Sequence, residues 1–316
     1  MSASTTIGFI GLGVMGGPMC RNVATKHAGE VLAFDLSKEA FAAVEGTKAE
    51  PVASIEEIAA RADIVFLSLP GGPQVEAVAL GPILRSGRPG MAVVDLSTTP
   101  VAVARKVDAE LATAGIDFAD APVARTREAA QKGALSIMVG ASKAVFARIE
   151  PLLAYMATDI THGGDVGCGQ VLKLVNNMLV FENVVTLAEM MVLAERAGVS
   201  GETMLEAVSK GSGDSFVLRN HGRKAMLPRE FPEKSFPPEY VLKDMSYVFE
   251  LAQETGVPIR AAETVRKYYE AAVKAGLGGR YFPGVIRLVE DGTFADDADE
   301  AGVAAPASAK SSEPVK

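Results

Sequence analysis

The sequence predicts an α/β Rossmann domain, a mostly parallel doubly wound sheet, followed by an all-α domain, with one long helix joining the two. Three observations predict this. Up to about residue 165, short apolar runs alternate with helix patterns, as a parallel sheet covered by crossover helices requires. Beyond Gly198 only helix patterns remain. Between them, 169–197 is apolar on every side, and its only charges from Gln170 to Ala194 are Lys173, Glu182 and Glu189. At 1.5 Å per residue such a helix is a rod of roughly 43 Å, and a helix apolar all round is buried. The expected boundaries are 1–165 for the dinucleotide-type domain, 166–292 for the helical domain and 293–316 for a tail. That tail has almost no large apolar residues and is expected to be disordered.

Bulk properties narrow the class. A chain of 316 residues with 48% apolar and 22% charged residues suits two globular domains. A net charge of −8 argues against nucleic acid or an anionic membrane as a partner. No uninterrupted apolar run approaches the roughly 18 residues of a membrane span, so no segment is expected to cross one. The N-terminus lacks the basic start of a secretory leader. Two cysteines without C-x-x-C spacing point to a reducing, cytoplasmic setting, and three isolated histidines give no metal site.

Residues 6–10 read as a buried strand that runs directly into Gly11-Leu12-Gly13-Val14-Met15-Gly16 and then a helix. G-x-G-x-x-G alone is weak; between strand and helix it marks a dinucleotide turn. Gly11 permits the tight turn, Gly13 lets a pyrophosphate approach the backbone, and Gly16 lets helix pack close to strand. The amides around Val14 and Met15 open a helix whose dipole favours an anion. The next strand, 31–35, ends in Asp35, 19 residues after Gly16, where an acid takes the ribose hydroxyls of adenosine. Leu36 and Ser37 follow where a 2′-phosphate site more often has Arg. NAD is therefore favoured over NADP, although Lys38 is near enough to reach a phosphate.

Ser54 has capping-box spacing to Glu57 and opens a short helix. Residues 63–70 and 91–100 are further strand-like runs. Thr99 is the expected N-cap of the helix after them, with Pro100 at its first position. Ligands of open α/β sheets bind beyond the carboxyl ends of strands, so Leu69, Pro70 and Thr98 should flank the cofactor. Ordinary turn chemistry is an equal explanation for Thr98. Segments 117–126, 135–140 and 159–162 complete the sheet. After the long helix come helices at about 203–209, 216–226, 238–255 and 261–275, with a last turn near 283–289.

Lys173 and Asn177 are four apart and share one face of the long helix. A lysine on so apolar a helix is costly unless something demands it. Four segments in this order resemble the β-hydroxyacid dehydrogenase family, which includes 3-hydroxyisobutyrate dehydrogenases and tartronate semialdehyde reductases. They are residues 8–19, Asp120-Ala121-Pro122-Val123, residues 164–177 and Leu242-Lys243-Asp244-Met245. The resemblance spans about residues 5 to 290. It implies reversible hydride transfer between NAD and a small 3-hydroxy acid or semialdehyde. It also implies a homodimer or homotetramer built on the long helix. Lys173 matches the family's catalytic lysine, Asn177 its substrate-holding partner with Asn176 beside it, and Lys243 the lysine that closes over the cofactor.

The chemistry agrees with the resemblance. When an alcohol becomes a carbonyl, one proton must leave. A desolvated lysine near the reacting carbon is suited to take it and to return it. The chain departs from the family after Pro122-Val123, where Ala124-Arg125-Thr126 stands for the usual Ser-Gly-Gly. An arginine offers a planar charged fork, and with Thr126 it would hold the anionic end of a small substrate. Pro-Val-x-Arg-Thr is similar to sulfolactaldehyde reductases, whose substrate carries a sulfonate; a dicarboxylate is equally open, and so is a surface ion pair for Arg125. The reading of another class is a non-catalytic dinucleotide-binding oligomerisation module, against which Lys173 and Asn177 both speak. An imine reductase is disfavoured because such relatives usually lack the lysine.

Overall fold

The computed structural model describes residues 5–233 and 235–292, so the tail expected at 293–316 lies outside the described residues. The chain divides into two compact units. One runs to Leu179 and takes back Asp244–Ile259; the other holds Val180–Lys243 and the chain from Arg260. The division expected at 165/166 therefore falls inside the long helix, and a segment near residue 250 belongs with the sheet.

The first unit is built on nine strands: β1 (Ile7–Ile10), β2 (Val31–Phe34), β3 (Ala49–Pro51), β4 (Ile64–Leu67), β5 (Ala92–Asp95), β6 (Asp117–Asp120), β7 (Val123–Ala124), β8 (Leu135–Gly140) and β9 (Ala157–Gly164). Their order is β3-β2-β1-β4-β5-β6-β8-β7, with β9 paired to β8. The first six are parallel, whereas β8 runs antiparallel to β6 and β7. Strand-to-helix alternation produces the parallel part. The sheet is flanked by α1 (Gly16–Lys26), α2 (Ile55–Arg61), α3 (Gly72–Val78), the single turn α4 (Leu84–Ser86), α5 (Val101–Ala112), α6 (Arg127–Lys132) and α7 (Lys143–Leu153).

Both faces of the sheet are apolar, so its central strands are buried throughout. Ile7, Phe9 and Phe66 point to one face and pack with Met19 and Val23 of α1 and Ile149 of α7. Ile10, Leu32 and Leu67 point to the other and pack with Ile58, Val75 and Leu111. Helix α8 (Cys168–Arg196) contributes Val171 and Leu174 to a small cluster with Val101, Tyr247 and Leu251, which is why 244–259 belongs to this unit. By length and a mean hydropathy of 1.4, α8 meets the composition of a membrane span, which counting uninterrupted apolar runs does not register; 44% of that window is buried in protein.

The second unit is helical. It contains the rest of α8, α9 (Gly201–Val208), a wide-turned helix at Leu218–Met226, the start of α10 (Pro238–Thr255), α11 (Arg260–Ala272) and α12 (Ile286–Asp291). An aromatic cluster forms its centre: Phe282 lies edge-on to Phe181 and Phe236 at 5.8 Å, and Tyr269 is fully buried beside them. Phe236 is thus a packing residue. His221 sits against Phe282 and meets the Tyr281 hydroxyl at 2.6 Å, and burial holds its imidazole down at about 4.

Candidate active site

Parallel strands place all their carboxyl ends on one edge, and the sequence-predicted cofactor residues gather there. β1 ends at Gly11, whose φ of +95° is open to glycine and strained for other residues. A Cβ at Gly11 would stand 2.2 Å from the Ser68 carbonyl oxygen, and one at Gly16 would stand 2.1 Å from that of Gly11. Gly13 differs, since a Cβ there would meet nothing within 4 Å. Gly11 and Gly16 are thus required by the fold, whereas Gly13 keeps outward space clear. Val14 and Met15 carry the chain from there into α1, with Val14 exposed. This is the cradle a pyrophosphate needs, so the residues present fit a dinucleotide.

Asp35 follows β2 directly. Its carboxylate accepts from Leu12 N at 2.6 Å and Ser37 N at 2.8 Å, which fixes it beside the glycine turn. A carboxylate has about four acceptor sites. Two backbone bonds leave capacity for a ribose diol. Leu69 and exposed Pro70 follow β4, and half-buried Thr98 follows β5. The Leu69 amide donates to Ser97 Oγ at 2.9 Å, joining these two loops.

Thr99 does not cap α5 with its side chain. The helix starts at Val101 after Pro100, and the Thr99 hydroxyl donates instead to buried Asp95 at 2.8 Å. Asp95 also accepts from Ser97 N at 2.9 Å. Three residues that sequence reasoning passed over thus form a buried polar layer: Asp95, Asp120 and Gln170 are each fully buried. Asp120, at the end of β6, accepts from Gly167 N and Gln170 N at 2.7 Å each and so holds the first turn of α8. Desolvation outweighs those bonds and raises its carboxyl to about 6, with the Asp95 charge pushing the same way.

Gln170, half-buried Lys173 and buried Asn177 follow at spacings of three and four, so one face of α8 carries all three. The Asn177 amide donates to Asp244 Oδ2 at 2.7 Å, and the Asn176 amide donates to Asn177 Oδ1 at 3.2 Å. Asp244 is 1% exposed, a buried carboxylate whose only sequence signal was its place beside Lys243. Lys243 itself lies in the second unit, its ammonium 5.6 Å from the Tyr240 ring.

The segment after β6 is arranged otherwise than expected. Pro122 O accepts from Met138 N at 3.2 Å, while Val123 and Ala124 form β7 against β8. Thr126 caps α6, its hydroxyl accepting from Ala129 N at 3.3 Å. Arg125 stands at φ +83° and turns its guanidinium to the sheet edge, where it bonds Ala134 O at 2.7 Å, Thr158 Oγ1 at 2.9 Å and Asp159 at 2.8 Å. The hydrogen bond from Thr158, and then the bond and charge of Arg125, hold the Asp159 carboxyl below its usual range. The surface ion pair that stood among the readings open for Arg125 is thus formed in this structure. Replacing Arg125 by Ala is expected to change KM for the acid substrate by less than about twofold, since an exposed pair contributes only about 0–1 kcal/mol. A tenfold rise in KM in steady-state kinetics would restore the clasp.

A separate cavity of about 380 Å³ opens among Asp108, Asp117, Ser142, Asp165 and Val166. It contains none of the predicted residues. Burial raises Asp108 there, aided by the Asp117 charge. Among the described residues no group of acids, histidines and cysteines is arranged to hold a metal.

Known proteins match along nearly the whole chain. Residues 6–164 match the NAD-binding domain of 6-phosphogluconate dehydrogenase, and residues 167–289 match the NAD-binding family model of NADP-dependent 3-hydroxyisobutyrate dehydrogenase. The 2-(hydroxymethyl)glutarate dehydrogenase of Eubacterium barkeri is 37% identical over 93% of this chain and 97% of its own. The 2-hydroxy-3-oxopropionate reductase of Escherichia coli (strain K12) is 29% identical over 85% of this chain and 92% of its own. Among solved structures, the 3-hydroxyisobutyrate dehydrogenase of Mycobacterium tuberculosis with L-serine superposes with a TM-score of 0.82 at 29% identity, covering 90% of this chain and 99% of that one. Glycine turn, acid-ended second strand and lysine helix therefore occur in a chain that matches such dehydrogenases over most of its length, and this chain belongs to the NAD-dependent β-hydroxyacid dehydrogenase family.

Proposed function

We propose that Lys173 is the general acid/base of this enzyme and that its substrate is a 3-hydroxy acid carrying a second carboxylate, of the 2-(hydroxymethyl)glutarate kind. The observation that carries the first part is the face of α8 that starts at the carboxyl end of β5 and continues through Lys173 to Asn177. When bound, the nicotinamide accepts or returns a hydride. Lys173 takes the hydroxyl proton on oxidation and returns it to the carbonyl oxygen on reduction. Asn177, held through its NH₂ group by Asp244, presents the rest of its amide to the reacting oxygen. Asn176 and the main chain of Pro122 to Thr126 border the acid, while Leu69, Pro70, Thr98 and Lys243 border the cofactor. Asp35 selects NAD over NADP.

The dicarboxylate follows from the full-length 37% relative, whose name gives a substituted glutarate as its substrate. A sulfonate held by Arg125 and Thr126 is the second reading; the engagement of Arg125 with the sheet edge and of Thr126 with the start of α6 counts against it. A panel of 2-(hydroxymethyl)glutarate, 3-hydroxyisobutyrate, tartronate semialdehyde and 2,3-dihydroxypropanesulfonate, each with both NAD and NADP, the cofactor oxidised for the hydroxy acids and reduced for the semialdehyde, is the test. The dicarboxylate with NAD is expected to lead in kcat/KM by at least about tenfold, some 1.4 kcal/mol of discrimination. A lead for the sulfonate would overturn the substrate, and a lead for NADP would overturn the role of Asp35. The protein acts in a reducing compartment, where Cys20 and Cys168 remain free thiols. The exposed Leu172, Val175 and Leu179 of α8, and three turns on Met190 and Leu193, pair it with a second copy.

A further inference from the structure

Gln170 is a fully buried amide with both ends engaged. Its Oε1 accepts from Thr99 N at 3.0 Å and its Nε2 donates to Ser97 O at 2.9 Å. Turning the amide over would set nitrogen against N–H and oxygen against carbonyl, so the network fixes its orientation. Both partners are main-chain groups of the loop that carries Thr98. That loop is not secured by its own helix, since α5 begins without a side-chain cap. Asp95 shapes it from within, through Ser97 N and Thr99 Oγ1, and Ser97 passes the connection to Leu69. Gln170 is the link from this layer to the helix of Lys173, which lies three residues on, about 4.5 Å along the axis.

The start of α8 is held without Gln170's side chain. Asp120 takes the amides of Gly167 and Gln170, and Leu174 packs with Val101 and Tyr247. What Gln170 adds is the register between that helix and the loop. We infer that Gln170 is a positioning residue of the reaction: by tying Ser97 and Thr99 to the first turn of α8, it fixes Lys173 relative to the cofactor-facing loop. This rests on Lys173 being the acid/base.

Two variants of the full chain test it, assayed with NAD and the best substrate of the panel. Gln170→Met keeps length and apolar volume but leaves Ser97 O and Thr99 N unpartnered. Its kcat is expected to fall about 10- to 100-fold, the effect of displacing a catalytic group by about 1 Å, with KM for NAD within about twofold of the parent. Gln170→Glu keeps the acceptor for Thr99 N and loses the donor to Ser97 O. The new carboxyl would face Asp95 and Asp120 in a buried layer, conditions that favour its protonated form. Protonation restores a donor, so its kcat relative to the parent enzyme's is expected to rise severalfold as pH is lowered from about 8.5 to about 6.5. A purely structural glutamine would give no such recovery.

A parental kcat in Gln170→Met, or a Gln170→Glu ratio that stays flat with pH, overturns the inference. Should the Met variant fail to fold, the Glu ratio decides alone. Lys173→Ala keeps the two readings apart. If it is inactive while the Gln170 variants turn over normally, only the positioning role falls; if it turns over normally, both fall.

Discussion

Replacing Lys173 by Ala is expected to abolish turnover and to leave NAD binding nearly intact. Removing a general acid/base lowers the chemical step by about 10²- to 10⁴-fold. The residues proposed to hold the dinucleotide, the Gly11–Gly16 turn and Asp35, lie on other elements and keep their geometry. Titration of NADH by fluorescence against single-turnover hydride transfer separates the two effects. Turnover within tenfold of the parent would remove Lys173 from the chemistry, whereas a parent that fails to oxidise NADH with any semialdehyde would return the chain to the binding-module reading. The helix itself should tolerate the change, because Ala is the strongest helix former.

A second large effect divides two glycines that a motif treats alike. Gly13→Val should fold, since the added Cβ meets nothing within 4 Å. It should weaken NAD binding by about 100-fold or more, roughly 2.7 kcal/mol, because the side chain occupies the approach of the pyrophosphate. Gly11→Ala should fail earlier. Its Cβ would press on the Ser68 carbonyl at 2.2 Å, at a φ of +95°. The left-handed conformation alone costs about 1–2 kcal/mol for an L-residue. Thermal unfolding of both apo variants, followed by calorimetric NAD titration, checks the division. An apo Gly13→Val as destabilised as Gly11→Ala would show that Gly13 also serves the fold.

Legibility followed the range of the interactions. The glycine turn and Asp35 could be located because their constraints are local, set by a strand end and the helix after it. Lys173 and Asn177 stood out because the 3.6-residue period places them on one face and because a lysine on an apolar helix is unusual. Asp95 gave no signal, and Asp120 and Gln170 gave only their places within family-like segments. Their partners are mostly backbone groups, as distant as 73 residues for Ser97 and Gln170, and no spacing encodes such a bond. Thr99 looked like a cap because the side chain that competes for its hydroxyl, Asp95, lies on the preceding strand. Arg125 was visible as a charge, but its direction depends on a positive φ and on Asp159 across the sheet edge. The expected boundary at 165/166 lies where the two family matches change over. The compact units divide at 179/180 instead, because apolar residues of 244–259 pack on the first turns of α8, and composition does not say which unit a helix serves.

The return of Asp244–Ile259 to the first unit has a consequence for synthesis. A ribosome delivers the nine strands well before it delivers Asp244, which bonds Asn177 across 67 residues. During that interval the nascent sheet is ready while the lysine helix lacks Tyr247 and Leu251 against its inner side. Vectorial folding from the N-terminus therefore cannot finish the catalytic half ahead of the other. Almost the whole polypeptide must emerge before Lys173 has its final surroundings, so a prematurely released chain is not a small working reductase but a sheet with an apolar stump.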